Sequence, residues 1–287
     1  MRRASGWWQA GRRCFQRLWS WCGRIAVFGL LVIASSAAAQ LWSTEVRVTE
    51  TLSHGQIDWT DGLMLSRDSA ARSVRRGAGV AAVQAATQAA RQGLLRIFDQ
   101  VRFDATQMLR QAVRQAEAPR QELEALVVHA TVVETRYFPG GAVETAVQLP
   151  FAGQLTALFL PAVSSVIPDG EPRFEAVHTG VVIDARGLAI QPALFPKIMD
   201  ERGQTLYAPE SVDREAAVQQ GYVAYAKAFD QAPAQARVGE HPLVLRALRV
   251  AGETRVDLVL SDAEATRIRD YAATRRLVRQ CRVLIVM

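Results

Sequence analysis

The stretch SHGQIDWTDGLMLSRD, residues 53–68, decides how the first half of this sequence is interpreted. A histidine, a tryptophan and the carboxylates of Asp58 and Asp61 stand close together in it, as they do in many catalytic sites. The Asp61-Gly62 pair between apolar residues is also a hairpin signal, and it predicts two short strand pieces within residues 56–66. We therefore expect the stretch to form the first hairpin of a packing module.

Side-chain parity predicts which residues this hairpin buries. Alternate residues of a strand share one face, and one face here carries Ile57, Trp59, Leu63 and Leu65. That face is expected to pack on a long helix, with Trp59 against the helix. Asp58 then faces outward, and His54 belongs to the connecting loop.

A long helix is predicted for residues 72–100, directly after the hairpin. Its many alanines favour helix and allow close packing on a sheet. A second helix is predicted for residues 105–118, opened by Asp104 with Gln107 three residues later and stopped by Pro119. The stripe expected to face the sheet has three- and four-residue spacing: Val80, Val83, Thr87, Ala90, Leu94, Ile97 and Val101.

Residues 123–150 have the composition of strands. The segment is rich in valine and threonine, and a Pro-Gly-Gly turn at 139–141 has glycines that tolerate positive φ. We predict a hairpin about this turn, with His129 inside the first strand, and a short helix near 153–160.

The rest of the sequence predicts a linker and a second domain. Residues 161–174 contain proline, glycine and serine without periodicity. Strands at 179–185, in KIMD (197–200) and in TLYA (205–208) are typical of a small β-meander. The remaining predicted elements are a helix at 212–229, strands near 243–251 and 255–260 about Gly252, a helix at 262–275 opened by Ser261 with Glu264, and a strand at 281–286.

The predicted fold class is α+β. A small antiparallel sheet packs on the long alanine-rich helix, and a second, smaller α+β domain follows. The expected divisions are a signal peptide or retained N-terminal anchor at 1–39, a first domain at 40–160, the linker at 161–174 and a C-terminal domain at 175–287.

Three segments between residues 55 and 153 carry a likeness to a known family. They are QIDWTDGLMLSRD, the alanine-rich AAVQAATQAARQGLLRIFDQV, and RYFPGGAVETAVQLPFAG. In this order they resemble the LPP-twenty family of bacterial envelope lipoproteins, a domain type that also forms the N-terminal part of flagellar assembly protein T. The resemblance implies a small α+β fold, an assembly or surface role and no catalytic residues. The sequence lacks the family's lipidated cysteine, so the resemblance does not extend to lipid anchoring.

The N-terminal segment looks like an export signal. Arginine-rich residues 1–24 precede the apolar run IAVFGLLVIA (25–34) and the stretch SSAAAQ, which predicts cleavage after Ala39. The alternative is a retained membrane anchor over 25–42, and GRRCFQR (11–17) also imitates a twin-arginine signal. Each route leads out of the cytoplasm, so we predict a periplasmic or outer-membrane-associated protein.

The charge distribution argues against a nucleic-acid partner. The net charge is +6, but six arginines and no acidic residue precede residue 40. Without that segment, 28 of the 34 basic residues remain against 28 acidic ones. A neutral remainder has no basic footprint for phosphate backbones.

No residue pattern predicts a catalytic, cofactor or metal site. GAGVAA (77–82) fits a dinucleotide-binding pattern with Asp99 at the ribose position, but the charged RDSAARSVRR stands where a buried strand is required. The small residues are better explained as the start of a helix. Helical metal-ligand spacing is absent among the histidines that follow residue 50, which are His54, His129, His178 and His241.

Three aspartates and one cysteine of the second half remain as candidates. Asp184, Asp200 and Asp213 could converge in the fold, but each ends a strand or begins a turn or helix, where aspartate is common. Cys281 lies in an apolar run, and we expect a buried small side chain rather than a reactive thiol.

These observations predict an exported, non-enzymatic cell-envelope protein with a structural or assembly role, flagellar or outer-membrane associated. Its expected partners are other envelope proteins, with no cofactor and no nucleic acid. Membrane association through residues 25–42 is expected only if the signal is not cleaved. The alternative is a periplasmic enzyme with carboxylates near Asp184 and Asp200.

Overall fold

The computed structural model describes residues 47–71, 78–115, 117–161, 177–228 and 236–287. Residues 47–287 form one compact unit, which contains two sheets. The expected signal segment and all of the expected linker except Pro161 lie outside the described residues.

The first sheet has five antiparallel strands in the order β1-β2-β3-β5-β4. Both predicted hairpins are confirmed: β2 pairs with β3 across the turn that contains Gly62, and β4 pairs with β5 across the glycine turn at 139–141. Gly62 has a φ of 65°, the left-handed conformation that this turn requires and that glycine adopts readily. The strands are β1 (Thr49–Leu52), β2 (Gly55–Asp58), β3 (Leu63–Ala70), β4 (Thr131–Tyr137) and β5 (Val143–Pro150).

The long helix α1 (Ala78–Phe98) packs across β3 and β5. Its predicted buried stripe is confirmed at its C-terminal end, where Leu94 and Ile97 are fully buried. Towards the N-terminus the stripe is wrong, because Val80 is exposed and Ala82 and Ala86 are buried instead. Small side chains bring the helix close to the sheet, which a stripe of valines would prevent.

The connection between the two hairpins is more helical than predicted. Helix α2 (Leu109–Arg114) is shorter than the expected 105–118, and Asp104 accepts hydrogen bonds from the turn that precedes it. Helix α3 (Glu117–Val128) contains Pro119 in its first turn, where proline is tolerated. The predicted strand from residue 123 is therefore wrong up to Val128, and exposed His129 follows the helix rather than lying in a strand. The short helix after β5 is confirmed as α4 (Gln154–Phe159).

The second sheet has seven strands in the order β8-β7-β11-β10-β6-β12-β9. Its centre is parallel, since β6 pairs in parallel with both β10 and β12, and β12 with β9. The strands are β6 (Val181–Asp184), β7 (Ile198–Met199), β8 (Thr205–Tyr207), β9 (Ala224–Ala226), β10 (Leu243–Ala251), β11 (Asp257–Leu260) and β12 (Val283–Val286). The helices are α5 (Arg214–Gln220), α6 (Asp262–Arg269) and α7 (Ala272–Arg279).

Three details of the second half differ from the predictions. The β-meander is wrong, because β10 and β11 lie between β6 and β7, although β7 and β8 do pair as expected. The helix at 212–229 ends at Gln220, where Gly221 takes a φ of 84°, and β9 follows. The helix at 262–275 begins at the Ser261 cap as predicted, but it breaks after Arg269 into two helices.

The predicted fold class is confirmed: the protein is α+β, with an antiparallel sheet packed on an alanine-rich helix and a second α+β part. One hydrophobic core runs through both halves, from Val48 to Ile285. Among the described helices, none has both the length and the apolar character needed to span a bilayer.

The close approach of α1 to β3 generates a stability prediction. A methyl group at Gly93 would lie 2.1 Å from Ser66 Oγ, and that hydroxyl is held by a 2.9 Å hydrogen bond to the His54 carbonyl. We expect Gly93→Ala to lower the free energy of unfolding by about 1–3 kcal/mol through overpacking, measured by urea denaturation.

The matched control is Gly79→Ala in the same helix. A methyl group at Gly79 meets no atom within 4 Å. Because alanine is the better helix former, this variant should be unchanged or more stable by up to about 0.5–1 kcal/mol. Equal stability of the two variants would contradict the close packing of α1 on β3.

Candidate functional site

Trp59 lies at the junction of the two sheets. It is 2% exposed, and its ring centroid lies 5.1 Å from that of Phe151 and 5.8 Å from that of Tyr225. Phe151 follows β5 of the first sheet, and Tyr225 belongs to β9 of the second. Its aromatic partners therefore come from both halves of the fold, while its packing against the long helix stays a prediction.

The parity prediction for the first hairpin is confirmed for Ile57 and Trp59 and is wrong for β3. Ile57 is fully buried as expected, but in β3 the buried apolar residue is Met64, while Leu63 and Leu65 are only half-buried. The turn of four residues between β2 and β3 changes the parity of the second strand relative to the first. Trp59 belongs to that turn and is buried in the same core as Ile57.

Asp58 holds this turn together. One carboxylate oxygen accepts the backbone N–H groups of Thr60 and Asp61, both at 3.0 Å, and the other pairs with Arg47 at 2.9 Å. Arg47 also pairs with Asp61. Burial raises the pKa of the Asp58 carboxyl, and the charge of Arg47 opposes that rise. The two carboxylates that resemble an active site are thus occupied in fixing the turn that carries Trp59.

A second set of aromatic contacts joins the halves beside Trp59. Phe103, which follows α1, lies 5.0 Å from Phe159 and 5.1 Å from Phe195 of the second half. Phe195 in turn lies 5.2 Å from Tyr222. We refer to the two sets together as the aromatic junction, formed by Trp59, Phe103, Phe151, Phe159, Phe195, Tyr222 and Tyr225.

A cleft of about 490 Å³ opens beside the aromatic junction. Its walls include Trp59, Phe151 and Tyr222, and Arg237 is the cation that lines it. Arg237 donates hydrogen bonds to the carbonyls of Gln220 and Gly221 at the end of α5. It also donates one to the backbone carbonyl of Cys281, at 2.7 Å. Burial lowers the pKa of this guanidinium. Its hydrogen bonds end a helix and tie down β12, so its evident role is structural.

The aspartates of the second half do not converge. Asp184 ends β6 and Asp200 follows β7, and these strands are separated by two others, so about 14 Å of sheet lies between them. Asp184 binds Arg186, with oxygen–nitrogen distances of 2.7 and 2.9 Å. Asp213 caps α5 by accepting the N–H of Ala216 at 3.1 Å.

Asp200 is a structural carboxylate. Its side chain is 1% exposed and accepts the backbone N–H groups of Arg202 and Gln204 at 3.0 and 2.8 Å, together with the guanidinium of Arg269. Burial alone would raise the pKa of this carboxyl, but the hydrogen bonds and the charge of Arg269 together lower it. Every oxygen therefore has a partner within the fold.

The remaining candidates also have structural positions. Cys281 is fully buried as predicted, and burial raises the pKa of its thiol to about 11, which disfavours the reactive thiolate. Ala78–Ala82 of the dinucleotide-like stretch open α1, and the strand before them, β3, is antiparallel to its neighbours. His54 lies in the connecting loop as expected, with Nδ1 3.3 Å from Arg96. Within the described residues no three His, Cys, Asp or Glu side chains are placed to share a metal ion.

The surface feature that stands out is β4, an edge strand of the first sheet in the described part of the chain. Four apolar side chains of this strand and the residue after it are exposed, and they are Val132, Val133, Tyr137 and Phe138. A β-bulge between Val132 and Glu134 interrupts the pairing with β5. The sequence predicted the strand, but its edge position depends on the order of strands in space. One local feature of the sequence does indicate this exposure. The adjacent Val132 and Val133 break the alternation that is expected of a strand with one buried face.

Four charged side chains form a network on the sheet face opposite α1. Arg67 of β3 lies 3.1 Å from Glu134 of β4 and 3.9 Å from Glu144 of β5. Arg136 lies 2.6 Å from Glu134 and 3.7 Å from Glu144. Two cations and two anions thus alternate across three strands, and the two members from β4 stand at the open edge.

Comparison with known proteins relates the second half to one family. Residues 180–287 match the family model described as Treponema pallidum Tp0624, second domain. The matched segment contains all seven strands of the second sheet, and it covers a little more than a third of the chain. No curated protein matches this chain. The resemblance of residues 55–153 to the LPP-twenty family stays a prediction.

The contrast between Asp200 and Asp184 generates a prediction on stability and pH. Asp200→Asn should lower the midpoint of thermal unfolding at pH 7, because a neutral amide does not neutralise Arg269. The folded-state pKa lies below the ordinary 3.8, so the stabilisation is complete above pH 3.8 and is lost as pH falls through the folded pKa. The difference between variant and parent should therefore shrink in acid.

Asp184→Asn is the control for this measurement. Its carboxylate pairs with the exposed Arg186, and exposed pairs contribute only about 0–1 kcal/mol. Thermal unfolding at pH 7, followed by circular dichroism, should show only a small change in the midpoint for this variant. Equal effects of the two substitutions at pH 7 would refute the structural role assigned to Asp200.

Proposed function

We propose that this chain is an exported, non-enzymatic protein of the cell envelope with a structural or assembly role, and that it works through protein–protein contacts made by the edge of the first sheet. The observation that carries this proposal is β4. It combines an open strand edge with four exposed apolar side chains, whereas monomeric proteins protect such edges.

The chemistry of an open edge favours an extended protein segment as its ligand. Edge backbone N–H and C=O groups pair with another strand, and the side chains beside them select it. The exposed Tyr137 and Phe138 add aromatic surface of the kind enriched at interfaces. The arginine-rich and apolar N-terminal sequence supports export, and the LPP-twenty resemblance of residues 55–153 supports an assembly role.

The alternative of a periplasmic enzyme gains no support from the geometry. Asp184 ends β6 and Asp200 follows β7, two strands lie between β6 and β7, and each aspartate is held by an arginine. The cleft beside Trp59 is lined by one described carboxylate, Asp61, which pairs with Arg47, and its Arg237 is bound to backbone carbonyls. The exposed edge strand β4 therefore supports a contact role more specifically than these side chains support an enzyme.

Photo-crosslinking in living cells tests the contact surface. The chain offers a matched pair of exposed tyrosines, with Tyr137 72% exposed on β4 and Tyr271 62% exposed between α6 and α7. We expect a benzophenone amino acid at position 137 to form a covalent adduct with a protein on irradiation, and the same amino acid at position 271 to form little or none.

Mass spectrometry of the adduct then identifies the captured chain, and N-terminal sequencing of the same product checks cleavage after Ala39. Absence of any adduct at position 137, or equal adducts at both positions, would count against a contact role for β4. An intact N-terminus in the inner membrane would refute the localisation.

A further inference from the structure

We propose that the partner of β4 is a second copy of this chain, paired edge to edge in antiparallel register about Thr135. This inference rests on the proposed contact role of β4 and names its occupant. It follows from the direction of the backbone groups, from the charges along the strand and from the length of the regular edge.

The backbone groups that face the open edge can be identified. The Phe138 N–H donates to the Ala142 carbonyl at 2.9 Å, so Phe138 faces β5. Because these groups alternate in direction along a strand, Arg136 and Glu134 also face β5, and Thr135 and Tyr137 face away from it. The free backbone groups at the edge therefore belong to Thr135 and Tyr137.

Symmetry limits the registers open to two identical strands. Neighbouring pairs in an antiparallel ladder alternate between hydrogen-bonded and non-hydrogen-bonded types. A two-fold axis perpendicular to the sheet must therefore run midway between one residue and the same residue of the second copy, and we name each register by that residue. Near the middle of the edge that residue is Glu134, Thr135 or Arg136.

The charges choose among these three registers. An axis at Glu134 sets two carboxylates opposite each other, and an axis at Arg136 sets two guanidinium groups opposite each other, both of which are destabilising. An axis at Thr135 instead sets Glu134 of each copy opposite Arg136 of the other. It also pairs Val133 with Tyr137, which joins two exposed apolar side chains.

This register also extends the charge network already present on the sheet face. Within one copy Arg136 lies beside Glu144 and Glu134, and Arg67 lies beside the same two carboxylates. The second copy adds its own Arg136 next to Glu134, so cations and anions continue to alternate across the enlarged sheet. No charge of the network is left without a partner of opposite sign.

The bulge sets the size of the contact. It lies between Val132 and Glu134, so the regular edge available for pairing runs from Val133 to Tyr137. Five residues span about 17 Å of strand. A contact of this length predicts a reversible dimer whose population rises with protein concentration.

Sedimentation equilibrium of the purified full chain tests this pairing. The parent should show a monomer–dimer equilibrium. E134R and R136E each set like charges opposite each other twice per dimer, and each should raise the dissociation constant by about tenfold or more. E124R is the control, because Glu124 pairs with Arg120 in an exposed helical pair away from the edge; it should leave the constant unchanged.

An equimolar mixture of E134R and R136E separates a specific contact from a folding defect. In the mixed pair, the two arginines of one chain stand opposite the two glutamates of the other, so a heterodimer should form at the concentration where each variant alone is monomeric. Circular dichroism checks that both variants are folded. Failure of the mixture to associate, or a parent that stays monomeric at every concentration, would overturn the pairing.

The two proposals fail separately. If position 137 crosslinks to a different protein and the purified chain is monomeric, the contact role of β4 stands and the self-pairing is wrong. If position 137 forms no adduct and the chain is monomeric, both are wrong.

Discussion

The aromatic junction is the interaction on which the rest of the structure depends. Trp59 contacts Phe151 beside it and Tyr225 of the second sheet, while Phe103 contacts Phe195. Aromatic pairs at these distances contribute about 0.5–1.5 kcal/mol each beyond the apolar area that they bury. Backbone hydrogen bonds follow the same path, since the N–H groups of Leu194 and Phe195 donate to the carbonyls of residues 102 and 103 at 3.0 and 2.8 Å. Residues 47–287 consequently form one unit with one continuous core.

This junction explains why the most chemical-looking stretch of the chain has a structural task. Asp58 and Asp61 share Arg47 and fix the turn that carries Trp59. The other ionised groups that attracted attention are held in the same way, Asp200 by Arg269 and Arg237 by three carbonyl groups. A carboxylate with all its oxygens hydrogen-bonded has little capacity left for proton transfer. The exposed apolar side chains and the edge of the first sheet that carries them lie elsewhere, along β4.

Local signals in the sequence were enough for much of the fold. The Asp61-Gly62 turn, the Pro-Gly-Gly turn at 139–141 and the Ser261 cap depend on residues close together in the chain, and all three were predicted. The failures depend on distant contacts. Pairing of β6 with β12 joins residues about a hundred positions apart, and nothing in either strand names its partner. The segment up to Val128 has strand-like valines, yet packing on α1 and α2 makes it a helix. The partners of Trp59 and the edge position of β4 were out of reach for the same reason.

Native-state hydrogen exchange measures most directly whether the aromatic junction makes residues 47–287 one cooperative unit. In the parent, the slowest amides of β3 and β12 should open with the same free energy. Trp59→Ala removes a buried aromatic side chain and should lower that value by about 3–5 kcal/mol in both strands equally. If the loss is confined to β3 while β12 keeps its full protection, the two halves are independent and the account given for the junction is wrong.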